Sequence, residues 1–124
     1  MSLRVEIFPA DLDATVRFYI DVLLFRLVRD ERAAQSAYVS LQRGAVRVGA
    51  AGRPDVANRG QQRPPVGVEL VLEVDDVERE RERVRRAGWP VVEDLVERPW
   101  GRRDFRLLDP SGYYLRITGR TPEP

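Results

Sequence analysis

The sequence predicts an α+β fold made of two βαβββ modules in tandem. Each module opens with an alternating strand that leads into an acidic helix cap, Asp11 in the first module and Asp75-Asp76 in the second. Arg4 and Glu69 stand at the same point of these two opening strands, 65 residues apart. Because three short strand-like runs follow each predicted helix, one supersecondary unit is repeated along the chain.

In the first module, alternation from Arg4 to Phe8 predicts a half-buried strand, with Val5 and Ile7 on its apolar face. Apolar residues at helical spacing then predict a helix from Leu12 to Leu23. Three further strands are predicted over residues 25–30, 37–41 and 45–50.

The second module follows a stretch over 52–65 that is rich in Gly, Pro, Asn and Gln and therefore predicts a linker. A strand is predicted over 68–74, a helix over 77–87 with Gly88 as its stop, and strands over 89–92, 103–108 and 114–118. The helix pairs Glu78/Arg81, Glu82/Arg85 and Glu82/Arg86 predict a solvated face. The expected organisation is a first module at 1–51, the linker at 52–65, a second module at 66–119 and a tail at 120–124.

Composition excludes several classes of function. The net charge of +1, from 21 basic and 20 acidic residues, predicts neither a nucleic-acid nor a membrane partner. The absence of Cys excludes thiolate chemistry, and the absence of His removes the commonest metal ligand and general base. Since no secretion signal or long apolar segment is present, we expect a cytoplasmic protein.

Three motifs resemble the vicinal-oxygen-chelate superfamily, which includes glyoxalase I, extradiol dioxygenases and bleomycin-resistance proteins. These are the Asp-Leu…Phe-Tyr…Asp-Val-Leu helix at 11–23, the Trp-Gly-x-Arg-x-Phe segment at 100–105, and the Asp-Pro-x-Gly turn at 109–112. The resemblance covers Leu3 to Thr118. It implies that the two modules form curled mixed sheets around a cleft, usually in a homodimer.

The resemblance also implies where a metal would bind, because metal-dependent members take one ligand from the opening strand and one from the closing strand of each module. On this sequence those positions fall on Arg4 and Glu69, and on Arg47 and Arg116. A guanidinium has no lone pair to donate, so we expect no metal site and no cofactor.

The residues expected to bind a ligand share a place on the cleft side of a strand or in the adjoining motif loop: Arg4, Glu6, Phe8, Tyr38, Arg47, Glu69, Trp100, Tyr114 and Arg116. Guanidinium planes and aromatic rings stack on flat molecules, and carboxylates orient amines or hydroxyls. The same charges could instead form a structural ion network that replaced the metal, for example Arg4 or Arg116 with Glu69. Trp89 is expected to pack under the second helix.

Two functions follow as expectations. The first is non-catalytic sequestration of a bulky aromatic natural product, similar to bleomycin resistance or self-resistance, by a cytoplasmic homodimer. The alternative is a metal-free enzyme of the same fold, an isomerase or natural-product tailoring enzyme, that uses Glu69 as base. The loss of the metal ligands favours the binder.

Overall fold

The chain folds into two compact units, Met1–Arg63 and Pro64–Pro124, and each contains one four-stranded sheet. The structure is a computed structural model that describes residues 1–52, 65–101 and 103–120. It confirms the α+β class and the repeated βαβββ order. The predicted linker, apart from Gly52 and Pro65, and most of the predicted tail lie outside the described residues.

The first unit contains a mixed sheet in which β1 runs parallel to β4 and the other neighbours are antiparallel, in the order β1-β4-β3-β2. Its elements are β1 (Val5–Ile7), α1 (Leu12–Arg17), a π-helical segment (Phe18–Val22), β2 (Arg26–Glu31), β3 (Tyr38–Arg43) and β4 (Val46–Ala51).

The first helix covers the predicted extent but changes character within it. Asp11 caps it, since its Oδ1 accepts the amide of Ala14 at 2.9 Å. After Arg17 the chain widens into the π-helical segment, where the Leu23 amide donates five residues back to the Phe18 carbonyl at 3.3 Å. This widening was not predicted, because a hydrophobic period alone does not separate α from π geometry.

The core of the first unit lies between this helix and one face of its sheet. Fully buried residues of the sheet, among them Val39 and Leu41, share this core with Val16 and Tyr19 of the helix. Alternation along the strands then sends the intervening polar residues to the opposite face. The described helix therefore covers the apolar face, and the polar face is left for other contacts.

The second unit repeats this arrangement with the strand order β5-β8-β7-β6. Its elements are β5 (Leu70–Val74), α2 (Val77–Arg86), β6 (Glu93–Glu97), β7 (Arg103–Leu108) and β8 (Tyr114–Gly119). Phe105, Leu107, Leu115 and Ile117 form the buried apolar face of the sheet, together with Val84 of α2.

The helix α2 begins and ends where the sequence predicts. Gly88, with φ of 72°, follows its C-terminus. Glu82 contacts Arg85 at 2.6 Å and Arg86 at 3.2 Å, which confirms two of the three predicted pairs. The predicted Glu78/Arg81 pair is wrong, since Arg81 bonds Asp94 of β6 at 2.6 Å and Glu78 bonds Arg103 of β7.

The strand predicted over 89–92 is wrong, and β6 instead occupies Glu93–Glu97. Pro90 has no amide hydrogen to give to a ladder, so pairing starts only where the Val92 amide donates to the Arg106 carbonyl at 2.8 Å. The three acidic residues of β6 concealed the strand, since its propensity is low until a partner supplies the compensating charge.

The turn predicted at 109–112 is confirmed. Asp109 Oδ1 accepts the amides of Ser111 and Tyr113, both at 2.9 Å, and Gly112 has φ of 89°. This side-chain-bonded turn fixes the register between β7 and β8. Within the described residues, no helix is long and apolar enough to cross a membrane.

Candidate functional site

The polar face of the first sheet is organised around Gly49, which lies opposite Glu6 on β1 and Ser40 on β3. A Cβ at Gly49 would meet the Glu6 carboxylate and the Tyr38 hydroxyl closer than the 3.0 Å that real Cβ atoms keep. The missing side chain therefore provides the space in which these two groups meet.

Arg4, Glu6 and Tyr38 form a polar cluster over that space. Arg4 Nε lies 2.7 Å from Glu6 Oε1, and the Tyr38 hydroxyl donates to the same oxygen at 3.0 Å. Partial burial, followed by the hydrogen bond to Glu6, raises the pKa of the Tyr38 phenol above its ordinary value. The phenol is therefore a stable proton donor to the carboxylate at neutral pH.

Arg47 and Phe8, two other predicted ligand-binding residues of this unit, lie outside the cluster. Arg47 donates to the Ser2 hydroxyl at 3.1 Å and occupies β4 two residues before Gly49, on the same face. Phe8 follows the end of β1 and is half-buried. The cluster thus unites three of the five residues predicted for this unit.

The polar face of the second sheet carries an ion network centred on Glu69. One Glu69 oxygen accepts Arg106 Nε at 2.8 Å, and the other lies 3.2 Å from Arg116 Nε. Arg106 and Arg116 are cross-strand neighbours on β7 and β8. The hydrogen bond to Glu69 raises the pKa of Arg106, so this guanidinium stays charged. The Arg116–Glu69 pair is one that the ion-network hypothesis names.

Three residues that sequence reasoning missed extend this network. Arg98 lies 2.9 Å from the buried Asp104 and 2.6 Å from Glu93, and Arg106 also contacts Glu93 at 3.1 Å. The signal was present on β7, where Asp104 and Arg106 alternate with the buried Phe105 and Leu107. The network thus contains three cations and three anions.

Two atoms of the network have no hydrogen-bond partner in the described structure, Asp104 Oδ2 and Arg116 Nε. Both are buried, and Asp104 Oδ2 lies 4.0 Å from Arg116 Nη1. Since a buried polar atom without a partner costs free energy, the network is held together by charge more than by complete hydrogen bonding.

Glu69 and Tyr114 border an open depression of about 480 Å³ in the second unit, together with Pro65, Gly67 and Val68. Its size falls in the range of small-molecule sites, and its lining is part apolar and part polar. Two of the predicted ligand-binding residues are therefore at a concave surface.

The two tryptophans have different surroundings. Trp100, in the loop before β7, is 59% exposed. The Trp89 indole donates to the Leu108 carbonyl at 2.8 Å, which fixes its ring against the end of β7. Trp100 is thus the tryptophan that a ligand can contact directly.

The strand registers correct one assignment. Val5 pairs with Val48 in the first sheet, and Leu70 pairs with Leu115 in the second. With Arg4 and Glu69 equivalent, the residue that corresponds to Arg116 is Gly49, and the assignment of Arg47 to the closing position is wrong by two residues. The first module has no Asp-Pro-x-Gly turn to fix the register of β4, so the sequence alone left it ambiguous.

The four positions to which the resemblance assigns metal ligands thus carry Arg4, Gly49, Glu69 and Arg116. Two guanidinium groups cannot donate an electron pair, Gly49 has no side chain, and both Glu69 oxygens face arginines. This donor set does not fit a divalent cation. Across the described ranges, no group of three or more acidic side chains lies close enough to hold a metal ion.

Comparison with known proteins agrees with this architecture. The family model described as the Glyoxalase/Bleomycin resistance protein/Dioxygenase superfamily matches residues 3–117. Among curated proteins, no sequence matches the chain.

Many solved structures share the fold. TioX from Micromonospora sp. ML1 is 23% identical, with a TM-score of 0.78 over 98% of this chain and 99% of that chain. UcmS2 is 23% identical, with a TM-score of 0.73 over 97% and 98%. A lactoylglutathione lyase from Agrobacterium tumefaciens is 22% identical, with a TM-score of 0.71 over 96% and 94%. At these identities the likeness establishes the fold and leaves the activity to the residues of the site.

Proposed function

Because the chain belongs to the glyoxalase/bleomycin resistance protein/dioxygenase superfamily, we propose that it binds and sequesters a bulky aromatic natural product without transforming it. The observation that carries this proposal is the replacement of the metal-ligand positions by arginine, glycine and an already paired carboxylate. The polar sheet faces then present guanidinium planes, a phenol and carboxylates, which suit a flat molecule with polar substituents.

Catalysis by Glu69 is disfavoured by its contacts. A general base needs a lone pair directed at the substrate proton, whereas one Glu69 oxygen accepts from Arg106 at 2.8 Å and the other lies 3.2 Å from Arg116. The alternative of a metal-free isomerase or tailoring enzyme that uses Glu69 therefore has less support than the binder.

The ion network serves the proposed binding function as well as the fold. Arg106 and Arg116 lie side by side across two strands with their side chains mostly buried, so their guanidinium planes are held before a ligand arrives. A preorganised surface loses less conformational entropy on binding. The ion-network and ligand-binding hypotheses are thus compatible in this unit.

Two single-tryptophan variants test the proposal. Trp89→Phe keeps Trp100, which is exposed, and Trp100→Phe keeps Trp89, which is bonded to Leu108. Titration with bleomycin, an anthracycline and an aminocoumarin should change the fluorescence of the Trp89→Phe protein at micromolar concentration. The Trp100→Phe protein, as the matched control, should respond far less. If no compound perturbs Trp100, the proposal is wrong.

We also propose that the protein works as a cytoplasmic homodimer with two equivalent ligand sites. Light scattering after size-exclusion chromatography should give a mass of twice the 14.2 kDa chain. A calorimetric titration should give one ligand per chain. A monomeric mass at micromolar concentration would contradict this part of the proposal and leave ligand binding to be judged separately.

A further inference from the structure

The Glu6 carboxylate has one oxygen in use and one available. Arg4 Nε lies closest to Oε1, and Tyr38 donates to Oε1, while no hydrogen bond from the described residues ends on Oε2. The Glu6 side chain is 31% exposed, so a ligand can reach it. A carboxylate oxygen can accept more than one hydrogen bond, and Oε2 is therefore a free acceptor on the polar face.

The Tyr38 oxygen lies next to that free acceptor. The Cβ position of Gly49 is in close contact with both Glu6 Oε2 and the Tyr38 hydroxyl, so the two oxygens lie side by side above β4. The Tyr38 proton is used on Glu6 Oε1, which leaves the phenol oxygen as a second acceptor. The site over Gly49 thus offers two adjacent acceptors.

The charges around these acceptors are balanced. Arg4 pairs with Glu6 at 2.7 Å, and on the same sheet face Arg29 pairs with Glu31 at 2.8 Å. Because Arg4 and Arg29 already compensate both carboxylates, an ammonium group at Oε2 would leave a net positive charge. A neutral donor gains the hydrogen bonds and keeps the charges balanced.

We propose that Glu6 Oε2 and the Tyr38 oxygen form the polar anchor of the ligand, and that they take a neutral O–H or N–H donor such as a phenol or an amide. This inference rests on the proposed binding function and specifies the chemistry of the ligand. Gly49 acts as a positioning residue, since its lack of a Cβ allows both acceptors to occupy one spot.

The test compares 7-hydroxycoumarin with 7-methoxycoumarin at pH 6, two flat molecules that differ in one hydrogen-bond donor. Both are titrated into the labelled full-length chain, and the Gly49 and Ser40 amide signals are followed by NMR. We expect 7-hydroxycoumarin to shift these signals with an affinity at least about tenfold higher than that of its methyl ether, as for one hydrogen bond to a charged acceptor. Equal affinities, or no shift at these amides at millimolar concentration, would overturn the anchor.

Glu6→Gln provides the sharpest variant. Tyr38 donates to the Oε1 position and Arg4 Nε lies 2.7 Å from it, so the Gln oxygen is favoured there and its NH₂ group takes the Oε2 position. A donor then faces the ligand donor, and the preference for 7-hydroxycoumarin should disappear. Glu31→Gln is the matched control on the same face and should keep the preference. A retained preference in Glu6→Gln would contradict the proposal.

Tyr38→Phe gives a second, independent variant that removes one acceptor and should reduce the preference about twofold to threefold. The failure of the anchor can be distinguished from the failure of the proposed function. If aromatic antibiotics perturb Trp100 while the two coumarins bind equally, only the anchor is wrong. If neither the antibiotics nor the coumarins bind, the binding function itself is wrong.

Discussion

At the scale of single residues, Gly49 determines where the polar side chains of the first sheet can lie. It lies in a strand, where glycine usually weakens a sheet. The space left by its missing Cβ is filled by the Glu6 carboxylate and the Tyr38 hydroxyl. Gly49→Ala should therefore displace both side-chain ends and lower the free energy of unfolding by about 1 kcal/mol, the size of the lost Tyr38–Glu6 hydrogen bond. Urea unfolding measures this change.

The control for this prediction is Gly119→Ala at the end of β8. A Cβ there would meet nothing within 4 Å, and the residue has no positive φ, so the unfolding free energy should change little. If both variants were equally stable, the space over Gly49 would be more adaptable than the structure indicates.

Tyr38 makes a second prediction at this scale. Burial and the Glu6 hydrogen bond raise the pKa of its phenol above the ordinary 10.0. The folded state therefore holds the phenol proton more tightly than the unfolded state, which stabilises the fold below pH 10 and loses this effect as the pH rises through the folded pKa. An ultraviolet titration of tyrosinate absorbance measures this, with Tyr38→Phe for comparison. The absorbance change that the unmodified chain shows and Tyr38→Phe lacks belongs to Tyr38, and it should occur above pH 10. Ionisation of Tyr38 at or below pH 10 would contradict the prediction, because burial and Glu6 would then not hold the proton on the phenol.

At the scale of elements, the start of α2 provides a matched pair of adjacent residues. Asp76 Oδ1 accepts the Arg79 amide at 3.0 Å as the N-cap, whereas Asp75 makes an exposed pair with Arg120. Asp76→Ala should lower the unfolding free energy by about 1 kcal/mol, and Asp75→Ala by no more than about 0.5 kcal/mol. Thermal unfolding of both variants measures the difference. Equal losses would show that the cap bond does not stabilise the helix.

Most elements could be predicted from the sequence, because hydrophobic period and capping residues act locally. The helices from Leu12 and from Val77, and the strands β7 and β8, have these signals in full. The strand β6 could not be predicted, since Glu93 becomes acceptable in a strand only when Arg98 and Arg106 neutralise it. Contacts with other elements therefore determine that this segment forms a strand, which its own strand propensity does not.

At the scale of the whole molecule, the sequence predicted which residues lie on the polar faces but not which of them hydrogen-bond or form ion pairs with one another. Alternation placed Glu6 and Tyr38 on one face of the first sheet, and the structure puts them in contact. Asp104 escaped notice because its carboxylate is buried, and burial of a charge depends on partners from other strands. Gly49 escaped notice because a residue without a side chain offers no chemistry until the strand register shows what fills its space.

Arginine and glycine stand at three of the four positions assigned to metal ligands, and this predicts how the whole protein responds to metal ions. A divalent cation that binds the folded state with a micromolar dissociation constant would, at millimolar concentration, stabilise it by about 4 kcal/mol and raise the melting temperature by about 10–20 °C. With Arg4, Gly49, Glu69 and Arg116 at the four positions, we expect no rise with Mn²⁺, Ni²⁺ or Zn²⁺, and no fall with a chelator. Differential scanning fluorimetry measures both. A metal-dependent rise in melting temperature that persists in Glu69→Gln would reveal a metal site elsewhere in the chain. A rise that Glu69→Gln abolishes would show that the Glu69 carboxylate leaves its two arginines to bind the cation.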